Sequence, residues 1–484
     1  MHDALTSGEG QAVGIVAAQA IHGLGGVGKT RLAVEYAWKY SEEYTALLFV
    51  RADSPENLET NLAGLCAVLG FPEAEASDQE TQVRALKGWL AENSGWLLIL
   101  DNVDDRVAAL AVSRLADSLQ GGRVLITGRW SSFGRAVQTL ELDVLDEDAA
   151  VEYLLEDTEG KRHKTGTDEN EARELAARLE QLAVALEQAA SWIRCNRSTL
   201  AAYRAKFDQN FEEVAGWHDE MTMDYPESVA AAWVTTVNAL TEPARTLLNA
   251  LSWLASDPIP AFVFESEQSA VAELADYSMI KWDGKSGTIQ VHRLVQEITR
   301  SRLGDESRRA TIEAALAAVN AAAPTDSDDV RTWPVWDPLR PHVSALVAHA
   351  DQHAITDPTT RLIACLASLL HTKALHAEAE PLYRRALEID EQSYGPGHPK
   401  VATRLNNLAQ LLKATNRLEE AEPLMRRHVE IFRKFGEATG HEHPHWRAAL
   451  QNYLGLLAEM GLSEEEAERE VLSVASPPGA GEAD

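Results

Sequence analysis

The chain has 484 residues, 45% of them hydrophobic and 25% charged, with a formal net charge of −31. Length and balance suit a soluble protein of three or four domains, while the acidic excess argues against a general nucleic-acid binder, because phosphate contacts need clustered Lys and Arg. No apolar run approaches a membrane span, no basic-then-apolar leader opens the chain, and Cys66, Cys195 and Cys365 are far apart without metal spacing, so a reduced, cytoplasmic protein is expected.

From about residue 12 to 145 apolar strands alternate with helices. The run Ala12–Ile21 contains a buried strand, and Gly23-Leu-Gly-Gly-Val-Gly28-Lys29-Thr30 follows it. Leu32, Ala33, Tyr36 and Ala37 then form a helical stripe. Ala46–Val50, Gly95–Leu100, Gly122–Thr127 and Val137–Leu142 read as further strands, with helices over Asn57–Gly70 and Thr81–Asn93. Continuous apolar strands separated by helices mean a parallel sheet covered on both faces.

The glycine-rich run matches G-x-x-x-x-G-K-[ST] at every fixed position, a phosphate-binding loop. Gly23, Gly25, Gly26, Val27, Gly28, Lys29, Thr30 and Arg31 are the expected nucleotide-binding residues. The glycines let successive N–H groups converge on phosphates, Lys29 adds a positive charge, and a helix begins at the anion. Such a loop needs Mg²⁺, for which the Thr30 hydroxyl and Asp101, at a strand's carboxyl end, are the expected ligands. Arg129, just past another strand, is placed to reach a γ-phosphate, so Asp101 and Arg129 are the expected catalytic pair. Asn102 stands where a second acid would polarise water. An amide cannot accept that proton, so slow hydrolysis is expected unless Asp104 substitutes. Otherwise Asp104 and Asp105 only solvate the loop.

After Asp143 the strand signal nearly stops. Asp146–Glu156 and Glu169–Arg194 read as helices, with an exposed polar loop over Thr165–Glu171. Pro226–Leu303 is helix-rich, with the turn Asp283–Gly287 and a strand over Gly287–His292. Helices, a hairpin and a helix are the order of a winged-helix domain, and its acidic surroundings favour internal packing over DNA binding. Ala322–Asp329 reads as an interdomain loop. Trp333 to Trp336 reads as core or a linker contact. Ala379-Glu-Pro-Leu382 recurs as Ala421-Glu-Pro-Leu424, and Leu366-Ala367 as Leu408-Ala409, both at an offset of 42 residues; Leu450–Tyr453 is a weaker third copy. Such units stack because none buries its apolar face alone. His441-Glu-His-Pro-His445 reads as a repeat turn rather than a metal site.

The order and spacing of these motifs resemble the signal-transduction ATPases with numerous domains, in the NB-ARC class shared by plant disease-resistance proteins, apoptosome scaffolds and actinobacterial regulators. Ile21–Tyr36 looks like the family's first motif and Leu97–Asp104 like its second. Gly122–Arg129 is similar to the sensor-one motif, whose Arg senses the γ-phosphate. Leu182–Ala190 resembles the helical-domain motif usually written G-L-P-L-A, and Val291–Gln296 the winged-helix motif whose His contacts the β-phosphate of ADP, which adds His292 to the nucleotide residues. The repeats, with Gly395-Pro-Gly-His-Pro399, resemble the tetratricopeptide type of kinesin light chains. Ala183 and Arg293 stand where relatives usually carry Pro and Asp.

The resemblance implies a multidomain chain: an α/β P-loop NTPase with a parallel sheet over 1–145, a helical domain over 146–215, a winged helix over 216–305, a helical linker over 306–355, an all-α tetratricopeptide superhelix over 356–474 and a disordered tail over 475–484. It implies an ADP- or ATP-dependent switch with Mg²⁺ that opens and forms a homo-oligomer when a protein or peptide binds the concave repeat surface. Relatives usually carry an effector module ahead of the loop, so output is expected from a separate effector chain. No membrane or nucleic-acid partner is expected. The alternative is a repeat scaffold holding a static structural nucleotide; Asn102 disfavours a high-turnover ATPase.

Overall fold

The computed structural model describes residues 17–76, 78–134, 137–219, 221–223 and 228–475. They form two compact units. The first runs to Ser252 and resumes over Ser266–Arg302; the second comprises Trp253–Glu265 and the chain from Leu303. Positions 12–16 of the first expected strand, and the tail from 476, lie outside the described residues.

The first unit is built on five parallel strands: β1 (Ala17–His22), β2 (Ala46–Arg51), β3 (Trp96–Asp101), β4 (Arg123–Thr127) and β5 (Val137–Glu141), in the order β2-β3-β4-β1-β5. Ala17 to Ile21 of β1 pair with Arg123 to Thr127 of β4 on one side, and β1 pairs with β5 on the other. Helices α1 (Lys29–Lys39), α2 (Pro55–Val68), α3 (Gln79–Glu92) and α4 (Arg106–Ser118) cover the sheet. One core packs Leu98, Leu100, Val124 and Ile126 against Leu62, Leu86 and Val112; the other packs Ile21, Leu97, Ile99 and Leu125 against Ala33 and Tyr36. Cover on both faces therefore holds for β3, buried at every residue, but not for the edge strand β2, whose Leu47 and Phe49 remain exposed. Helix α4 adds to the expected elements. Asp105 caps it, accepting from the N–H groups of Val107 and Ala108 at 2.8 Å.

Helices α5 (Glu147–Asp157), α6 (Asp168–Arg178), α7 (Ala183–Asn196), α8 (Leu200–Gln209) and α9 (Phe211–Ala215) follow. The stretch expected as an exposed loop over Thr165–Glu171 turns helical at Asp168. The Asp168 carboxylate accepts from the Thr165 N–H at 2.9 Å and pairs with the buried Arg162 at 2.7 Å, and this local bonding starts the helix. Then come α10 (Val229–Ala239), α11 (Glu242–Leu251), α12 (Gln268–Asp276), an antiparallel hairpin of β6 (Lys281–Asp283) and β7 (Thr288–Gln290), and α13 (Arg293–Ser301). Residues 253–265, inside the stretch expected as a winged helix, belong to the second unit.

The second unit stacks α14 (Asp305–Ala322), α15 (Trp333–Gln352), α16 (Thr359–Thr372), α17 (His376–Tyr394), α18 (Pro399–Ala414), α19 (Leu418–Thr439), α20 (Trp446–Glu459) and α21 (Glu464–Ala475). The repeated alanines Ala367, Ala379, Ala409 and Ala421 are fully buried, since close helix contact admits only a small side chain. The turns repeat as well. His398 Nδ1 accepts from the Lys400 N–H, and His443 Nδ1 from the His445 N–H, each at 3.2 Å. Trp336 is fully buried, and Lys373 lies over the Trp333 ring. No helix of the described residues is long and apolar enough to cross a membrane.

Candidate nucleotide site

The carboxyl edge of the sheet gathers the motifs. The loop after β1 wraps into α1, whose N-cap Gly28 adopts the left-handed φ of 102° that lets the chain turn into the helix. Lys29 is buried, and its ammonium donates to the carbonyls of Gly23 and Leu24, each at 2.9 Å. Burial lowers its pKa to about 8, against the opposing pull of Asp104. Arg31, on the exposed side of α1, pairs with Glu35 at 3.0 Å.

Asp101 ends β3 and is buried. One carboxylate oxygen, Oδ1, accepts from the hydroxyls of Thr30 at 2.7 Å and Thr127 at 2.5 Å. A hydroxyl that donates its proton to a carboxylate keeps its lone pairs for a cation, so Thr30 beside Asp101 suits Mg²⁺, which takes few protein oxygens and several waters. Among the described residues no group of three or more His, Cys, Asp or Glu could hold a metal by itself. Asp104 does not merely solvate the loop. It accepts from the Arg129 N–H at 2.9 Å and pairs with the guanidinium at 3.3 Å, so its carboxylate is committed to Arg129. Asn102 sits at φ 69°, a left-handed position that Asn and Asp both tolerate.

The helical motif meets the loop directly, since the Val184 N–H near the start of α7 donates to the Gly26 carbonyl at 3.0 Å. Ala183 is the first residue of that helix, a position open to Pro as well as Ala. His292 caps α13, its Nδ1 accepting from the Leu294 N–H at 3.3 Å, while Glu180 Oε2 lies 3.1 Å from the same nitrogen. Burial pushes Glu180 up and His292 down to about 4. The other ring nitrogen, Nε2, is buried and has no hydrogen-bond partner among the described residues. Arg293 is aimed elsewhere: its N–H donates to Glu180 at 2.8 Å and its side chain to Glu297 at 3.1 Å.

A cleft of about 470 Å³ lies beside the loop, within the usual range for small-molecule sites. Leu24, Val27, Asp143, Glu180, Trp282 and His292 are among the residues that wall it. Of the residues expected from the sequence, Val27 and His292 line it. Lys29, Asp101 and Arg129 do not, because the Lys29 ammonium is turned back on its own loop and Arg129 is taken up by Asp104. The orphaned Nε2 of His292 and the loop edge together fit a phosphate-bearing ligand. Sequence reading missed Thr127, although it belongs to the sensor-like motif. It also missed Glu180 and Trp233, whose indole N–H donates to the Gly25 carbonyl at 3.2 Å. A Trp in an apolar helix reads as core, and only the packing puts it on the loop.

Residues 359–434 match the tetratricopeptide repeat family, and residues 263–308 match a family described as a domain of unknown function (DUF7779). Over 431 residues the chain is 24% identical to a nucleotide-binding leucine-rich repeat (NLR)-like protein of Hyaloscypha variabilis, a match covering 80% of the chain and 42% of that protein. Among solved structures, a STAND protein with a tetratricopeptide repeat sensor from Pyrococcus horikoshii is 13% identical at TM-score 0.26, covering 96% of this chain and 75% of that one. Cdc6p of Pyrobaculum aerophilum is 13% identical at TM-score 0.31, covering 63% of this chain and 93% of that one. Superpositions this shallow carry no weight; the motifs, their meeting at one sheet edge, the repeat match and the NLR-like relative do. The motifs, the repeat match and the NLR-like relative together support a P-loop NTPase of the NB-ARC type with C-terminal tetratricopeptide repeats.

Proposed function

We propose that the chain is a nucleotide-gated switch that binds ADP or ATP with Mg²⁺ at the loop and reads a protein or peptide through its repeats. The observation that carries this reading is the shared wall of one cleft: the phosphate loop, Glu180 ahead of α7, and His292 ahead of α13. A ligand there touches segments far apart in sequence and so stabilises their closed arrangement by its own binding energy. In that role Lys29 and the loop N–H groups hold the phosphates, Thr30 and Asp101 hold Mg²⁺, Arg129 reads a γ-phosphate and His292 a β-phosphate. Bound Mg²⁺ would neutralise phosphate charge. A repeat partner that prefers the open form must weaken nucleotide binding by the factor that nucleotide weakens its own. Opening and self-association are the proposed output, and the segment boundaries at 145, 215, 305 and 355 are the proposed parts of the device. Nucleotide content after purification, followed by single-turnover hydrolysis, tests it. Co-purified ADP with slow exchange is the expected result; rapid exchange with fast multiple turnover would point to a conventional ATPase, and a nucleotide that never exchanges to the static scaffold.

His292→Ala is expected to act twice. Loss of the α13 cap costs about 1 kcal/mol with or without nucleotide. Loss of the Nε2–H donor to a phosphate removes a further ~1.5–3 kcal/mol only when ADP is bound. Thermal melts of nucleotide-free and ADP-saturated protein separate the two, and equal losses in both would falsify the phosphate contact.

Asn102→Asp is expected to raise the single-turnover hydrolysis rate by about tenfold or more while nucleotide affinity changes little. The backbone tolerates the change, and Asp104 cannot already serve as base while it is bound to Arg129. An unchanged rate places the attacking water out of reach of position 102.

A further inference from the structure

Helix α10 makes two contacts that the motifs do not account for. Trp233 lies over the phosphate loop and is almost completely buried. Its indole N–H donates to the Gly25 carbonyl at 3.2 Å, and its ring atoms come within 3.0 Å of where a Gly25 Cβ would stand. Its ring centroid is 6.2 Å from that of His292. Three residues on, hence on the same helix face, the buried Thr236 hydroxyl accepts a hydrogen bond from the Arg129 guanidinium. The Arg129 Nε is 3.5 Å from the same Gly25 Cβ position. One face of α10 thus holds both the loop and the arginine beside it.

We infer that this face of α10, through Trp233 and Thr236, is a second reader of the nucleotide: it holds the loop and Arg129 in the diphosphate arrangement and is released when a terminal phosphate takes Arg129. The inference rests on the nucleotide reading above. The exchange is chemically favourable, since Thr236 offers a neutral hydroxyl and a γ-phosphate offers anionic oxygens in a site shielded from water. Arg129 is within electrostatic range of Lys29, so a phosphate held by the ammonium lies near the guanidinium. When Arg129 leaves Thr236, the indole bond to Gly25 is what this face of α10 keeps on the loop among the described residues, a neutral contact worth less than the pair. Trp233 and Thr236 are therefore positioning residues: they act through the loop and through Arg129.

The test uses the full chain, with ADP and a non-hydrolysable ATP analogue measured by calorimetry, both with Mg²⁺. Thr236→Val keeps the shape of the side chain and removes the acceptor. Arg129 then has one hydrogen bond fewer to give up, its pairing with Asp104 being the same in both proteins, so the affinity ratio of analogue to ADP is expected to rise about fivefold or more, with ADP affinity nearly unchanged. Thr236→Ser keeps the hydroxyl and is expected to keep the wild-type ratio. A ratio that stays within twofold in the Val variant, or moves equally in Ser and Val, overturns the proposal while the nucleotide reading stands. Failure of both nucleotides to bind the wild-type protein overturns the nucleotide reading instead.

Trp233→Phe supplies an independent arm should Thr236→Val fold poorly. It keeps a ring over Gly25 and removes the N–H, and release of a fluorescent ADP analogue is expected to be about fivefold faster or more. The chain has 12 tryptophans, so the difference in emission between wild type and Trp233→Phe isolates Trp233. That difference signal should change with the ATP analogue and stay put with ADP. An unchanged release rate, or a Trp233 signal blind to the terminal phosphate, overturns the role assigned to α10.

Discussion

Lys29→Ala is expected to abolish measurable nucleotide binding, a loss of at least about 100-fold in affinity, or ~2.7 kcal/mol. The ammonium shapes the loop through its own bonds to the carbonyls of Gly23 and Leu24. Its removal deletes both that clasp and the charge for the phosphates. Without nucleotide the variant should melt close to wild type. The folded-state pKa of about 8, depressed by burial, means that the charge is a net penalty below that pH, relieved only as the pH rises through it, and this offsets the two hydrogen bonds. The same value fixes the pH dependence of the wild type. Phosphates bind the protonated amine, so affinity should be steady up to about pH 8 and fall as the lysine of the free protein deprotonates above it. Calorimetry from pH 7 to 9.5 checks both claims, and an affinity that Lys29→Ala leaves intact would remove the loop from the mechanism.

Gly128→Ala is expected to cost about 3 kcal/mol or more in stability of the first unit, the largest effect of a single methyl group at the site. A Cβ at Gly128 would lie 1.9 Å from the Val103 carbonyl oxygen and 2.5 Å from its carbon. Both are backbone atoms, held in turn by the Trp130 N–H at 3.3 Å and by Val103's own N–H on Thr127 at 2.9 Å, so neither can move alone. Separating them pulls the end of β4 from the end of β3, and with it Arg129 from Asp104 and Thr127 from Asp101. Urea unfolding followed by circular dichroism should show an earlier transition for the first unit. A midpoint equal to that of wild type would mean that the two turns separate easily, and the tight geometry argued for this edge would be wrong.

The sequence by itself determined most of the strands, the helices around them and the repeats. Apolar runs bounded by turns marked β3 and β4, because a strand buried between helices has no polar face to alternate, whereas the edge strands β2 and β5 keep exposed residues. The loop from Gly23 to Thr30 was legible because phosphate binding dictates residue types at fixed spacing. The 42-residue offset exposed the repeats because each stacked unit needs small residues at the same contact points, now seen as the buried Ala379 and Ala421. Local bonding was harder to read: Asp168 starts a helix in a stretch polar enough to pass for a loop, since the signal is a pair of hydrogen bonds and not a hydrophobic period. Only the tertiary structure decided which side chains meet. It bound Asp104 to Arg129, set Glu180 against His292, and laid Trp233 and Thr236 of α10 on the loop and its arginine. These partners lie 25 to 208 residues apart. No local pattern encodes such a pairing, because it depends on which faces of distant helices and turns are left to be buried together once the sheet has formed.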